Sequence, residues 1–333
     1  MNKTSRRNFI QQSAAIAGAA AAAPAIVNTA RADSHESHTV VTSAQSPYVG
    51  LKIMDTDAMP WPKPEQEGGW EVKTLYQNEQ TGDHLIIIQV GIGAPGGKNH
   101  YHTFHEWAYW LSGDFVNNEY TSPYQRTGPF QQFREGVFLD RPAYSLHGGE
   151  EGRLDSQVGG TCLIMEEGGR SVNVIPGEPG YSEEFKQVKQ WSVPRIIDTI
   201  RDMPWEAHHE FSGVMVKYLV EDQQRGFRAT LWRLPRGWHR SQAPQFGRAA
   251  YYRQAHQFNF LLNGDLRIHA HASPDSRAQT VSLGKSFSVE RPPMSIVGLA
   301  DGVVSDAGCV WLQVTYAKGT SISNTPIEVA TYI

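Results

Sequence analysis

Cysteine, surplus charge and long apolar runs are all scarce in this chain. Only Cys162 and Cys309 are present, so at most one disulfide is available. Each lies on a late apolar segment (Thr161-Cys162-Leu163-Ile164-Met165 and Cys309-Val310-Trp311-Leu312-Gln313-Val314). Sequence does not supply a Cα separation, so pairing and two buried thiols both stay open. A formal net charge of −4 over 333 residues offers no electrostatic footprint for a nucleic acid, and an anionic polymer is excluded as the main ligand. Beyond the N-terminal segment no stretch approaches the roughly 18 apolar residues that a membrane span needs. No stable membrane association of the mature product is expected. Helical patterning is limited to short patches such as Ser182 to Gln190. What is plentiful is Gly 31, Pro 19 and aromatics (Trp 9, Tyr 13, Phe 13), the composition of many short strands joined by tight turns. The expected class is all-β.

The N-terminus reads as a targeting segment rather than as part of a fold. Thr4-Ser5-Arg6-Arg7-Asn8-Phe9-Ile10 resembles a twin-arginine export signal, followed by an Ala-rich stretch from Ala14 to Val27 and a small-x-small site at Ala30-Arg31-Ala32. Cleavage near Ala32 and a periplasmic location follow as expectations. Such substrates cross the membrane already folded, so a metal can be loaded before the protein meets competing copper and zinc.

Self-similarity sets the domain organisation. Ile53-Met54-Asp55-Thr56 with Met59-Pro60-Trp61 returns as Ile197-Asp198-Thr199 with Met203-Pro204-Trp205. Val72-Lys73-x-Leu75 with Gly82 returns 144 residues on as Val216-Lys217-x-Leu219 with Gly226. Leu111-Ser112-Gly113-Asp114 returns as Leu262-Asn263-Gly264-Asp265, and Asp140-Arg141-Pro142 with Ser145 and Gly148 returns as Glu290-Arg291-Pro292 with Ser295 and Gly298. Four blocks in one order imply two copies of one domain, expected at 33–185 and 186–333 after a signal at 1–32. Leu85 to Val90 reads as a strand buried on both faces, and Gly113-Asp114 and Gly264-Asp265 as turns between strands.

In the first copy four metal-ligating residue types fall at telling positions. His100 and His102 share parity, so on an extended strand both face one side; Glu106 can return to that side after a turn, and His147 comes from a distant strand. Three imidazoles and one carboxylate leave two positions of an octahedral ion open, which suits a chelating substrate, or a substrate beside O2. Fe(II) or Mn(II) fits best, with zinc or nickel behind them, at one ion per chain. His105, adjacent to Glu106, should face away and is read as structural. In the second copy Gln257 stands at the place of Glu106, His256 at that of His105 and Val297 at that of His147, so this copy is read as having lost the site. His239, His256, His269 and His271 are read as solvated or core histidines.

These residues carry a resemblance to the cupin superfamily. His100-Tyr101-His102, Glu106 and Gly113 look like its first motif; Gly136, Pro142 and His147 look like its second, with Tyr144 where a glycine is common and Glu151 where an asparagine is common. The resemblance implies two tandem jelly-roll-like double-stranded β-helix barrels. It also implies a range of metal chemistry that includes dioxygenation, decarboxylation, epimerisation and lysis. The leading expectation is a metal-dependent oxidoreductase, a dioxygenase of a small organic substrate. A lyase, decarboxylase or isomerase of a small acid is the second reading, with Tyr101 or Tyr109 as candidate acid or base. A non-enzymatic periplasmic ligand binder is the third. Aromatics such as Phe104, Trp107, Trp110, Phe115, Tyr120 and Tyr124 are core candidates that would favour an apolar substrate if they line the pocket. Arg126, Arg134 and Arg141 are candidate carboxylate partners. The second copy is assigned to packing or dimerisation, giving a homo-oligomer.

Overall fold

The computed structural model describes residues 49–62, 70–96, 99–121, 130–149, 153–169, 171–173, 193–209, 211–239, 250–270, 276–277, 279–297, 304–318, 320 and 325–327. The export segment, the 185/186 boundary, the Ser182 to Gln190 patch, Tyr124, Arg126, Glu151 and His271 lie outside them. Among the described residues there are strands and turns and no helix.

The chain forms two compact units, Pro60–Met203, and Pro204–Ile333 together with the stretch that ends at Met59. The first unit is built on an antiparallel sheet in the order Trp70–Gln77, His84–Val90, Gly160–Glu166, Glu106–Glu119, Val137–Arg141, Arg195–Asp198. The second repeats that order with Met215–Asp222, Phe227–Leu234, Cys309–Tyr316, His256–Gly264, Phe287–Arg291 and Lys52–Asp55. The units are therefore not two contiguous runs of chain. Arg195–Asp198 completes the sheet of the first unit, and Lys52–Asp55 completes that of the second. Each covers backbone groups that an open edge strand would leave unpaired.

The repeated sequence blocks are the anchors of this architecture. The Asp-Thr block ends each covering strand in a turn. Asp55 Oδ1 accepts from the backbone N–H of Asp57 and Ala58 (3.0 and 3.2 Å), and Asp198 Oδ1 from those of Ile200 and Arg201 (3.1 and 2.9 Å). The neighbouring threonines donate into a turn of the sheet, Thr56 to the Ser286 carbonyl at 2.7 Å and Thr199 to that of Gly136 at 2.6 Å. The Met-Pro-Trp block places Trp61 over the Lys73 ammonium at 3.9 Å and Trp205 over that of Lys217 at 4.6 Å, a cation–π cover for two buried lysines. The Gly-Asp block uses its carboxylate to hold a later turn. Asp114 accepts from the backbone N–H of Gln157 and Val158, and Asp265 from those of Asp306 and Ala307.

Irregularities repeat as well. Register shifts fall between Thr74 and Tyr76 and between Trp110 and Ser112 in one unit, and between Tyr218 and Val220 and between Leu261 and Asn263 in the other. Tyr144 and Met294 both have positive φ (65° and 69°), which is why Tyr144 stands where glycine would be easier.

Side chains alternate between an interior face and an opposite one. In the first unit Ala108, Trp110, Val137, Leu139 and Cys162 pack together inside; in the second Leu261, Val289, Leu234 and Cys309 do. Each cysteine is a free buried thiol in the core of its own unit, which removes the disulfide alternative. Burial lifts Cys309 to about 11 and Cys162 well above the ordinary thiol value. Along His84–Val90, Leu85 and Ile87 are covered on one face; on the interior face Val90 is buried while Ile86 and Ile88 are half-buried.

Gly113 and Gly264 have φ of +96° and +84°, and a Cβ at either would strike backbone of the partner strand, at Gly159 and Gly160 or at Gly308 and Cys309. Gly113→Ala and Gly264→Ala should each lower the unfolding free energy by about 1–3 kcal/mol in urea denaturation. Gly93→Ala, also at positive φ but with open space around it, should lose only about 1 kcal/mol.

Candidate metal centre

His100 and His102 flank Tyr101 on the short strand His100–His102, and His147 lies directly across from His100 in the register with His147–Gly148. Strand parity therefore turns both histidines to one side and Tyr101 to the other. The ring centroids lie 5.1 Å apart for His100 and His102, 4.1 Å for His100 and His147, and 4.9 Å for His102 and His147. One ligand nitrogen from each ring lies within 4.8 Å of the others. Phe104 stacks on the His102 ring at 4.6 Å and closes one side of the group.

Glu106 opens the strand Glu106–Glu119 and meets the cluster through His102. Its Oε2 is 3.1 Å from His102 Nδ1, yet no hydrogen bond satisfies that buried nitrogen. The other oxygen, Oε1, accepts from Arg141, whose guanidinium also donates to both oxygens of Glu119. Arg141, one of the sequence candidates for pairing with a substrate or on the surface, is instead buried between these two carboxylates. Burial would raise the Glu106 carboxyl, but the Arg141 charge, helped by His102 and His100, outweighs it and holds it at about 2. Glu119 moves the other way, raised by burial and by the charge of Glu106 against the pull of Arg141.

Glu166 was not anticipated from sequence. It lies opposite Glu106 in the register, on the same face, and one carboxylate oxygen of each lies with a His102 ring nitrogen within 4.8 Å of one another. Behind it His84 Nε2 is 2.5 Å from Glu166 Oε2, while His84 Nδ1 is 3.1 Å from the Gly82 carbonyl. Burial opposes the charged ring, yet Glu166 and Gly82 leave its pKa raised overall. The result is a row of cross-strand neighbours, His84, Glu166, Glu106 and Arg141, across four strands at one end of the interior. The internal repeat could have exposed this row, because its positions differ between the copies, but only if the pairing of distant strands were known.

Tyr101 packs against Tyr144 with ring centroids 5.7 Å apart, and Tyr109 hydrogen-bonds Thr199, with burial raising its phenol to about 12. The structure brings neither hydroxyl to the histidines, because both residues occupy the opposite face of their strands. His105 also faces away, 2.6 Å from Asp140 Oδ1 and stacked on Trp107. Arg134 pairs with Asp198 at 2.6 Å. Trp110 lies in the interior cluster with Ala108. In the second unit His256 pairs with Glu290 at 2.9 Å, the equivalent of the His105–Asp140 contact.

Three features of these residues fit a divalent cation. His147 Nδ1 lies 3.0 Å from the Ser145 carbonyl, which fixes the proton there and leaves Nε2 as a lone-pair donor. Burial, with the charge of Arg141 and the neighbouring histidines, keeps the His147 ring well below its ordinary pKa and hence neutral. The buried His102 nitrogen without a hydrogen bond beside an ionised carboxylate is a donor set that a cation would complete.

No model of a known protein family matches this sequence, and no curated relative does. Among solved structures the chain is similar to the oxalate decarboxylase of Bacillus subtilis. A tryptophan-to-phenylalanine variant of that protein aligns with a TM-score of 0.51 at 13% identity, over 87% of this chain and 81% of that one. A serine-to-alanine variant gives 0.52 at 13% over the same shares, and the protein at pH 4.6 gives 0.50 at 14% over 87% and 80%. At such identity the likeness is one of fold. The chain consists of two tandem cupin barrels of the jelly-roll, double-stranded β-helix type, the class that the motifs and the repeat implied.

Arg141→Ala should cost about 3–5 kcal/mol of stability at neutral pH, because it strands two buried carboxylates. In the wild type the depressed Glu106 contributes stability above its ordinary 4.5 that is lost as pH falls towards about 2. Urea unfolding across that range should therefore show the gap between Arg141→Ala and wild type narrowing with acid.

Proposed function

We propose that this tandem cupin chain is a metal-dependent enzyme acting on a small organic acid in its first unit, at His100, His102, Glu106 and His147. The observation that carries this reading is the convergence of three imidazoles within 4.8 Å, one of them with its tautomer set by a backbone carbonyl. The nitrogen and oxygen donors favour one Fe(II) or Mn(II) per chain over zinc or nickel. When bound, the ion supplies Lewis-acid or redox chemistry at a substrate oxygen. Arg141 keeps Glu106 ionised and oriented, Phe104 fixes the His102 ring, and Ala108 and Trp110 make the interior beyond Glu106 apolar.

Decarboxylation is favoured over dioxygenation by the His84–Glu166 pair. Loss of CO2 leaves a carbanion that must gain a proton, and the His84 ring, whose pKa is raised by its bond to Glu166 opposite Glu106, can hold one. The activity of the oxalate decarboxylase that shares the fold points the same way, as an analogy. Dioxygenation, the leading expectation from sequence, has no comparable group in its favour. The reading extends to a periplasmic protein exported through its twin-arginine segment, assembled as a homo-oligomer with a second unit that no longer binds metal.

Full-length protein folded in the cytoplasm should carry about one equivalent of metal by elemental analysis, falling several-fold in His147→Ala and Glu106→Ala. With a panel of small mono- and dicarboxylic acids, CO2 release without matching O2 uptake is expected. Glu166→Gln should cut that release about 10²-fold or more while retaining the metal. O2 consumed in step with substrate would turn the assignment to a dioxygenase. Saturable binding with no turnover would sink the enzyme reading altogether.

A further inference from the structure

Glu166 is tied to the metal centre by distance. His102 offers a ring nitrogen to two overlapping groups, one with His100 and His147 and one with Glu106 and Glu166, and the donor atoms of each group lie within 4.8 Å of one another. On distance Glu166 therefore has the same claim to an ion as Glu106. His102 is 7% exposed, and its Nδ1, 3.1 Å from Glu106 Oε2, has no hydrogen bond. A buried nitrogen left unsatisfied among carboxylate oxygens points to a cation.

The two carboxylates are also held alike. They are direct cross-strand partners, and each has one oxygen anchored by a basic side chain on its far side: Oε1 of Glu106 by Arg141, Oε2 of Glu166 by His84 at 2.5 Å. That leaves Oε2 of Glu106 and Oε1 of Glu166 as the oxygens not engaged by those bases. Two carboxylates this close in a barrel interior repel each other unless a cation lies between them.

The second barrel shows that Glu166 goes with the ligands and not with the fold. There the cross-strand pair Glu106–Glu166 is replaced by Gln257–Thr315, and His84 by Arg228. Tyr251 and Val297, register partners, take the places of His100 and His147, and Arg253, two residues after Tyr251, takes that of His102. Groups that build the sheet recur in both copies, such as Asp114 and Asp265 holding a later turn, or Lys73 and Lys217 under tryptophans. The strand that carries Glu166 is present in both units, but its carboxylate occurs only beside the histidines and Glu106.

We propose that Glu166 is a fifth protein ligand of the ion held by His100, His102, Glu106 and His147. The inference rests on the metal site assigned above. Five donors leave one position of an octahedral ion, which admits one oxygen of an acid and leaves no neighbouring position for O2. The substrate class narrows to a carboxylate bound end-on through a single oxygen, and a chelating dianion is disfavoured. His84 orients the ligand carboxylate through its outer oxygen.

Titration of the metal-free full-length chain with Mn(II), followed by water-proton relaxation and by the thermal midpoint, tests this. The wild type should saturate at one equivalent, with one water on the bound ion. Glu166→Ala should still saturate at one equivalent, with affinity weakened about tenfold or more and the relaxation enhancement per bound ion about doubled as a second water enters. Glu166→Gln, which removes the repulsion at equal size, should keep the midpoint of the metal-free protein while the rise in midpoint on adding Mn(II) shrinks. One equivalent bound with unchanged affinity and unchanged relaxation in Glu166→Ala overturns the proposal and leaves the metal site standing. A second equivalent in the wild type that Glu166→Ala removes overturns the single-ion arrangement. No saturable binding in the wild type overturns the metal site itself, and the proposal with it.

Discussion

A guanidinium buried between two carboxylates governs what the interior of the first barrel can hold, because it decides which of the nearby acids stays charged. Arg141 closes the strand Val137–Arg141 opposite Glu106 and reaches Glu119 on the far end of the same long strand. Burial alone would protonate Glu106; the arginine reverses that and leaves an ionised oxygen facing His102. Two carboxylates around one cation still leave the region net negative, an environment that a divalent ion relieves. The three histidines are thereby paired with a carboxylate whose charge and direction are set from behind rather than by the ion.

The same strand order built twice turns the protein into its own comparison. Groups facing away from the interior are held in common: cation, carboxylate and imidazole recur as Arg195, Asp140 and His105 in one barrel and as Lys52, Glu290 and His256 in the other. In both, the cation comes from the covering strand, so the contact ties that strand to the sheet. Groups facing the interior row diverge in sign. The outer triads and capped turns are requirements of the fold, which both copies must meet, whereas the interior row is free to follow the ligand. Fold and function are thus carried on opposite faces of the same strands.

Much of this was legible in the chain. The repeat blocks announced two copies, and each block proves to be a fold device: an Asx-type turn, a tryptophan over a lysine, a glycine that lets strands approach. Parity placed His100 and His102 together and turned His105 away, because a strand's alternation is a local property. The same parity argument turns Tyr101 and Tyr109 from the metal group, although their chemistry had made them acid or base candidates.

The class of fold, the copy number and the choice of His100, His102, Glu106 and His147 as candidate ligands could be read from the chain, since these rest on spacing along one or two strands and on the repeat. The tertiary structure decided the rest: the covering strands drawn from beyond each contiguous half, the free thiols, the burial of Arg141, and the place of Glu166 and His84. All of these depend on which strands lie side by side. Glu106 and Glu166 are sixty residues apart in the chain and directly opposed in the sheet, and no local periodicity encodes that pairing. Antiparallel partners are selected by the packing of the whole barrel, so the electrostatic row they create exists only once the barrel has closed.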